Sequence, residues 1–148
     1  MARRSKMRKL ILVGLLTLAG IAEAHAQLAI IAHKAVPVDQ LTQAQVRDYY
    51  TGDVKSWNDK MPVVVLDLKA QSEIKEAFYK FLGLTSSRMK SIWLKKLLMG
   101  EGDPPEALKS EEEVLKKVAS TPGAIGYVNQ SKVSGEVKTL RIVEKEKR

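Results

Sequence analysis

Short apolar runs alternate with segments of helical periodicity through most of this sequence. Residues 28–32, 62–66 and 124–128 are continuous apolar stretches, and residues 137–143 form a fourth candidate strand. Runs of this length, rich in β-branched residues, are typical of strands that are buried on both faces of a sheet. The alternation therefore predicts a single α/β domain with a mainly parallel sheet flanked by helices.

The first two helices are predicted from their caps and from their spacing. Thr42 can cap a helix with Gln45 as its capping-box partner, and this helix should stop near Gly52. Leu41 and Val46 fit a hydrophobic staple at the same cap. The second helix is indicated by apolar residues that share one helical face: Ile74, Ala77, Phe78, Phe81 and Leu82.

Two more helices follow. The third should point Met89, Ile92, Trp93 and Leu97 inward, and it ends in the Gly- and Pro-rich loop 100–105. Its outward residues are mostly basic: Arg88, Lys90, Lys95 and Lys96. A second capping box, Ser110 with Glu113, opens the fourth helix, which Pro122-Gly123 stops. The side chains expected to pack on the sheet are Phe78, Phe81, Ile92, Trp93 and Leu115.

Residues 1–26 have the three parts of a secretory signal peptide. Five basic residues precede an apolar run at 10–21, and Ala24-His25-Ala26 supplies the small residues of a cleavage site. The run is shorter than the roughly 20 residues that cross a bilayer. We therefore expect cleavage after Ala26, a periplasmic or otherwise secreted protein that does not span the membrane, a domain at 27–143 and a charged tail at 144–148.

The remaining composition excludes several classes of function. Without the leader, 20 basic and 16 acidic side chains leave a net charge of +4. This charge is too small to indicate a nucleic-acid-binding surface. The chain has no cysteine, and His33 is the one histidine left after cleavage. Metal clusters and nucleophile–histidine pairs are therefore not expected, and no paired-carboxylate motif is evident. We expect no enzyme activity, no catalytic residues, no metal and no cofactor.

Two motifs resemble a known family. Tyr50-Thr51-Gly52 followed by Trp57, and Thr-Pro-Gly-Ala-Ile-Gly-Tyr-Val at 121–128, flank the strand 63–68 that leads into the helix with Phe78. In this order they resemble the periplasmic substrate-binding proteins of phosphate ABC importers. Such proteins have two lobes, so the resemblance implies a short member with a single periplasmic-binding-protein-like lobe. It also implies phosphate or another oxyanion as ligand, and an ABC permease or a second protein lobe as partner.

The resemblance carries over to only some binding positions. Ser72 matches the serine of the family's Gly-Ser-Gly-Thr turn, but Leu68 stands in place of the arginine, Glu73 in place of a glycine and Ile74 in place of the threonine. Lys69 and Lys75 are mobile charges that lack the bidentate geometry of arginine. The ligand-binding residues that the resemblance implies are Ser72, Gln71, Thr51, Gly52 and Tyr127.

Structural roles compete with binding at several of these positions. Ser72 fits a helix cap as well as a ligand contact, and Trp57 and Trp93 fit the core better than a ligand platform. Gly123 and Gly126 lead into a strand, which favours a tight turn over a phosphate cradle. Two hypotheses remain: an oxyanion-binding domain for ABC-type uptake with a degenerate site, and a non-transport accessory or protein-interaction domain that kept the lobe and lost the ligand.

Overall fold

Strands and helices alternate as predicted in the computed structural model, which describes residues 27–58 and 60–144. The predicted leader and most of the predicted tail lie outside these described residues. Five strands and four α-helices lie within them: β1 Leu28–Ala32, α1 Gln43–Thr51, β2 Val64–Leu68, α2 Glu73–Leu82, α3 Ser86–Leu98, β3 Glu106–Leu108, α4 Glu111–Ser120, β4 Ala124–Asn129 and β5 Lys138–Val143.

The strands form one sheet in the order β3-β2-β4-β1-β5. β2 is parallel to β3 and to β4, whereas β1 is antiparallel to both β4 and β5. Four strands therefore run in one direction, and β1 runs against them. All five residues of β1 are buried, as its continuous apolar run predicts. The predicted α/β class and the single lobe are confirmed.

Helices cover both faces of this sheet. Gly126 on β4 faces Val114 and Val118 of α4, because a Cβ atom at Gly126 would lie 2.7 Å from the Val114 side chain. The next residue, Tyr127, stacks on Phe78 of α2. Since successive residues of a strand point to opposite faces, α4 and α2 lie on opposite sides of the sheet.

Side-chain caps set where the helices begin. The predicted capping box of α1 is present, with Thr42 Oγ1 accepting from Gln45 N and Gln45 Oε1 accepting from Thr42 N. The second predicted capping box is only half formed. Ser110 Oγ accepts from Glu113 N, but the Glu113 carboxylate accepts from Lys109 N instead of from the cap residue. A carboxylate can satisfy either exposed N–H, so the sequence spacing does not decide between them.

The core follows the predicted apolar positions with one correction. Phe78 is fully buried and Trp93 is buried, while Phe81, Ile92 and Leu115 are half-buried and pack against the core. Leu97 was predicted to face inward, but 47% of it is exposed. Leu98 and Met99 beside it are exposed as well, so the last turn of α3 is not covered by the core and helical spacing alone gives the wrong side there.

Candidate functional site

A buried carboxylate lies at the carboxyl end of β2, where parallel sheets place their ligands. Asp67 is only 9% exposed. The Tyr79 hydroxyl donates to Asp67 Oδ2 over 2.7 Å, the Tyr127 hydroxyl donates to Oδ1, and the Leu68 backbone N–H donates to Oδ1 over 2.8 Å. The protein itself thus supplies three donors to this carboxylate, as a buried charge requires.

The tyrosines of this cluster stay protonated. Burial raises the pKa of Tyr79 and of Tyr127 well above the usual value, and the negative charge of Asp67 raises both further. Burial also raises the pKa of Tyr50, whose hydroxyl donates to the Leu66 carbonyl over 2.7 Å. All three hydroxyls are therefore neutral donors at physiological pH.

Aromatic packing holds the cluster together. The ring of Phe78 stacks on Tyr127 with centroids 3.9 Å apart and planes 9° apart. Tyr50 meets Phe78 edge-on at 4.6 Å. These contacts join α1, α2 and β4 behind the end of β2, so the Asp67 cluster belongs to the rigid core.

The first turn of α2 lies next to this cluster in the chain, and two of its polar side chains already have partners within the protein. Ser72 Oγ accepts from Lys75 N over 3.2 Å, and Lys75 Nζ donates to the Leu68 carbonyl over 2.6 Å. Glu73 and Glu76 are the acidic residues of this turn. Two carboxylates compete with any anion for the positive end of the helix dipole.

The sequence-predicted site residues fall into separate environments. Gln71 and Ser72 are exposed at the start of α2. Tyr127 is buried and directs its hydroxyl to Asp67. Thr51 Oγ1 lies 2.9 Å from the Arg47 carbonyl and 3.0 Å from Asp53 Oδ2. Each of these hydroxyls contacts the protein's own groups, and ligand binding by them stays a prediction.

Gly52 has a conformational and a packing role. Its φ of +73° ends α1 in the left-handed region, and a Cβ atom there would lie 2.6 Å from the ring of Trp93. The Trp93 indole N–H donates to the Tyr50 carbonyl over 3.0 Å. Gly52 thus lets α3 pack closely on α1, and ligand binding by Gly52 stays a prediction.

A family profile described as "PBP superfamily domain" matches residues 20–146 of the chain. The chain belongs to the PBP superfamily. Its described fold resembles several solved structures of longer proteins. A Clostridium perfringens protein, described as a phosphate ABC transporter substrate-binding protein and solved with bound phosphate, shares 24% identity at a TM-score of 0.65.

Two further structures are similar. An ABC-type phosphate transport receptor from Vibrio cholerae shares 23% identity at a TM-score of 0.63, and PstS from Borrelia burgdorferi shares 16% at 0.57. Each match covers 78% of this chain but only 45% to 47% of the other protein. The matched part of this PBP superfamily chain thus covers less than half of each protein that it resembles, and the likeness concerns the fold.

The PBP motif residues other than the candidate ligands are structural. The Trp57 indole N–H donates to the Gly123 carbonyl over 2.8 Å, so the two motifs contact each other. Gly123 has a φ of +83°, and a Cβ atom there would lie 2.3 Å from the Pro62 carbonyl oxygen. The structure therefore places these tryptophan and glycine positions in packing and a tight turn, as their residue types favour.

Sequence reasoning missed the role of Asp67. The sequence did contain a signal, because Asp67 is the single charged residue in the run Val-Val-Val-Leu-Asp-Leu of a buried strand. Such a charge needs partners. Its tyrosine partners are 12 and 60 residues away, so the pattern of the run does not identify them.

Within 27–58 and 60–144, no group of three or more histidine or acidic side chains is arranged to hold a metal ion. Over the same ranges, no helix has the length and apolar character needed to cross a bilayer.

Proposed function

We propose that this chain is an exported, single-lobe member of the PBP superfamily, related to oxyanion binding for ABC-type uptake, and that its own anion site is degenerate. The observation that carries the proposal is the start of α2. Ser72 is used as a cap, Lys75 is held by the Leu68 carbonyl, and two glutamates occupy the first turn. The lobe is retained, while Ser72 and Lys75, two of the groups that could hold an anion, have partners within the protein.

Repulsion from nearby carboxylates lowers the affinity of this site for phosphate. An anion at the α2 N-terminus meets the carboxylates of Glu73 and Glu76, with Asp67 at the end of the preceding strand. Leu68 replaces the arginine that the family resemblance implies, so no bidentate donor offsets this repulsion. We expect a dissociation constant in the ~mM range for the lone lobe, about −4 kcal/mol of binding free energy.

A partner is part of this proposal. The similar phosphate-binding structures are about twice as long as the matched region, and two-lobed proteins close around their ligand. A second protein lobe or an ABC permease surface would supply the missing side of the site in this chain. The export that the leader predicts would bring the lobe into the compartment where such a partner works.

A specific observation also favours a second candidate, a non-transport accessory or protein-interaction domain. Asp67 has its hydrogen bonds filled by Tyr79, Tyr127 and the Leu68 N–H. A site whose buried charge is satisfied internally needs no ligand to complete the fold. In this second candidate the lobe binds no oxyanion at all.

Calorimetry on residues 27–148 with phosphate and with sulfate tests the first candidate. We expect ~mM phosphate binding that Ser72→Ala weakens. Ser110→Ala is the matched control, because Ser110 caps α4 in the same way and lies outside the site. Phosphate binding by the monomer at ~µM or tighter, or binding that both variants change equally, would contradict the proposed site.

A gain-of-affinity variant sharpens the test. Glu73→Gln removes one carboxylate from the first turn of α2, so phosphate affinity should rise about three- to tenfold. Glu136→Gln changes the net charge equally at an exposed position in another part of the chain and should leave affinity unchanged. Absence of heat for every oxyanion, in both variants and the parent, would favour the accessory domain.

A further inference from the structure

Exposed apolar side chains are concentrated at one place on the lobe. Six large apolar side chains are exposed in the part of the chain that the structure describes, and five of them form a surface that we call the α3 tip: Val54, Leu94, Leu97, Leu98 and Met99. Their exposed fractions run from 39% to 81%, with Leu98 the highest. The sixth, Ile142, lies on β5. Clustered exposure of this kind marks an interaction surface.

The fold holds the α3 tip in place. Lys96 Nζ pairs with Asp53 Oδ1 over 2.8 Å, and Lys55 Nζ donates to the Glu101 carbonyl. These two contacts lie on either side of Val54 in the chain and fix it beside the end of α3. Trp93 anchors the same helix to the core one turn earlier. The apolar side chains are thus presented by a rigid element.

Three basic residues lie on the same helix as most of the α3 tip. Arg88, Lys90 and Lys95 are exposed on α3, and none of them forms an ion pair with another described residue. The nearest acidic residues along the chain are Glu101 and Asp103 in the following loop, while Asp53 is already paired with Lys96. The surroundings therefore carry a surplus of positive charge, as the protein does after loss of the leader.

We propose that the α3 tip binds the surface of an anionic lipid bilayer, with the leucines entering the headgroup region and the lysines contacting lipid phosphates. Apolar insertion combined with basic flanks is the chemistry of interfacial membrane binding. A second copy fits less well, because a symmetric contact would bring Lys90 and Lys95 against the same cations. Leu98 and Met99 also protrude from a helix end, which suits a fluid headgroup layer better than a rigid protein surface. This proposal does not rest on oxyanion binding.

Vesicle flotation tests the proposal with residues 27–148, because the apolar run of the leader would itself bind lipid. We expect binding to vesicles of equal parts phosphatidylglycerol and phosphatidylcholine in about 50 mM salt, and several-fold weaker binding in about 500 mM salt or to phosphatidylcholine alone. Leu98→Ser should reduce partitioning about fivefold. Ile142→Ser removes an exposed apolar side chain elsewhere and should change nothing. Cooperative thermal melts show that each variant is folded.

Two double variants with the same change in net charge distinguish the effect of the α3 lysines from the effect of the protein's net charge. Lys90→Gln with Lys95→Gln should reduce binding to the phosphatidylglycerol vesicles about thirtyfold, since each basic residue near such a surface contributes about 1 kcal/mol. Lys34→Gln with Lys116→Gln changes the net charge equally at exposed positions outside α3. Equal loss in both pairs, no binding at low salt, or a dimer that Leu98→Ser dissociates would each overturn the proposal.

Discussion

The Tyr79 hydroxyl donates a hydrogen bond of 2.7 Å to Asp67 Oδ2, which joins the middle of α2 to the end of β2. Tyr127 reaches the other oxygen of the same carboxylate from β4. Asp67 thus serves as the point where a helix and two neighbouring strands are tied together. Removing one hydroxyl leaves a buried charge short of a donor, so Tyr79→Phe should cost about 1.5 to 3 kcal/mol in urea unfolding at neutral pH.

Alkaline pH should weaken the fold through the same tyrosines. Tyrosine in the unfolded chain ionises near pH 10, whereas burial and Asp67 raise the pKa of Tyr79 and Tyr127 in the folded state. Above about pH 10 the folded state therefore binds more protons than the unfolded state, and stability falls as pH rises. Urea midpoints between about pH 8 and 11 should show a shallower fall in Tyr79→Phe than in the parent. If the urea midpoints of the parent and of Tyr79→Phe fell equally with pH, the contribution of Tyr79 to this loss of stability would be contradicted.

Phe78 should be the most costly phenylalanine to truncate. It is fully buried and stacks on Tyr127, so Phe78→Ala should lower the free energy of unfolding by about 3 to 5 kcal/mol. Phe81→Ala, on the same helix but half-buried, should cost about 1 to 2 kcal/mol. Denaturant titrations of the two variants measure both values. A loss under about 1 kcal/mol for Phe78 would mean that its face of α2 is wrongly placed.

Ser72 should matter to stability about as much as Ser110. Each side chain accepts a hydrogen bond from the backbone N–H three residues later at the start of a ten-residue helix. Ser72→Ala and Ser110→Ala should therefore each lower the free energy of unfolding by about 1 kcal/mol. Chemical denaturation compares them directly. If Ser72→Ala had no effect on unfolding, the cap that the structure shows would not be formed in solution.

Gly123 should not tolerate a side chain. Gly123→Ala places a methyl group against the Pro62 carbonyl in a left-handed backbone conformation, and we expect a loss of about 2 to 4 kcal/mol. Gly135→Ala is the control, because no atom lies within 4 Å of its Cβ position and its φ is not positive. Thermal melts of both variants test this pair, and equal melting temperatures would argue against the turn geometry.

The exported protein should begin at Gln27. Basic residues, the apolar run at 10–21 and Ala24-His25-Ala26 come in the order that a signal peptidase requires. Intact-mass analysis of the protein recovered after export should give residues 27–148, with or without cyclisation of the new N-terminal glutamine. Recovery of a chain that keeps the apolar run would refute the cleavage prediction.

Local chemistry explains why most elements were predictable. The apolar run of β1 and the Thr42–Gln45 capping box are short-range patterns, and the structure confirms both within a residue. β3 was missed, since Glu106–Leu108 is three residues long and has no apolar run. It becomes a strand only because its backbone pairs with β2. Strand order and the reversed direction of β1 are likewise set by contacts between distant parts of the chain.

The candidate site was predictable only in part. Spacing and the family resemblance predicted that Ser72 lies at the start of a helix. The resemblance also showed that Leu68 stands where the family has an arginine. The hydrogen bond from Lys75 Nζ to the Leu68 carbonyl could not be predicted, because it depends on the conformation of a flexible side chain. Tyr127 was predicted near a ligand by resemblance, but its partner Asp67 lies 60 residues away and is revealed only by the fold.

The position of β1 between β4 and β5 has a consequence for how the protein reaches its folded state. Leu28 pairs with Asn129 of β4 on one side and with Val143 of β5 on the other. A chain emerging from the ribosome therefore cannot complete the pairing of β1 until residues 124–143, which contain β4 and β5, have been synthesised. Such late closure slows folding and keeps the polypeptide extended for longer. That delay suits a protein expected to pass through a narrow export channel before it folds.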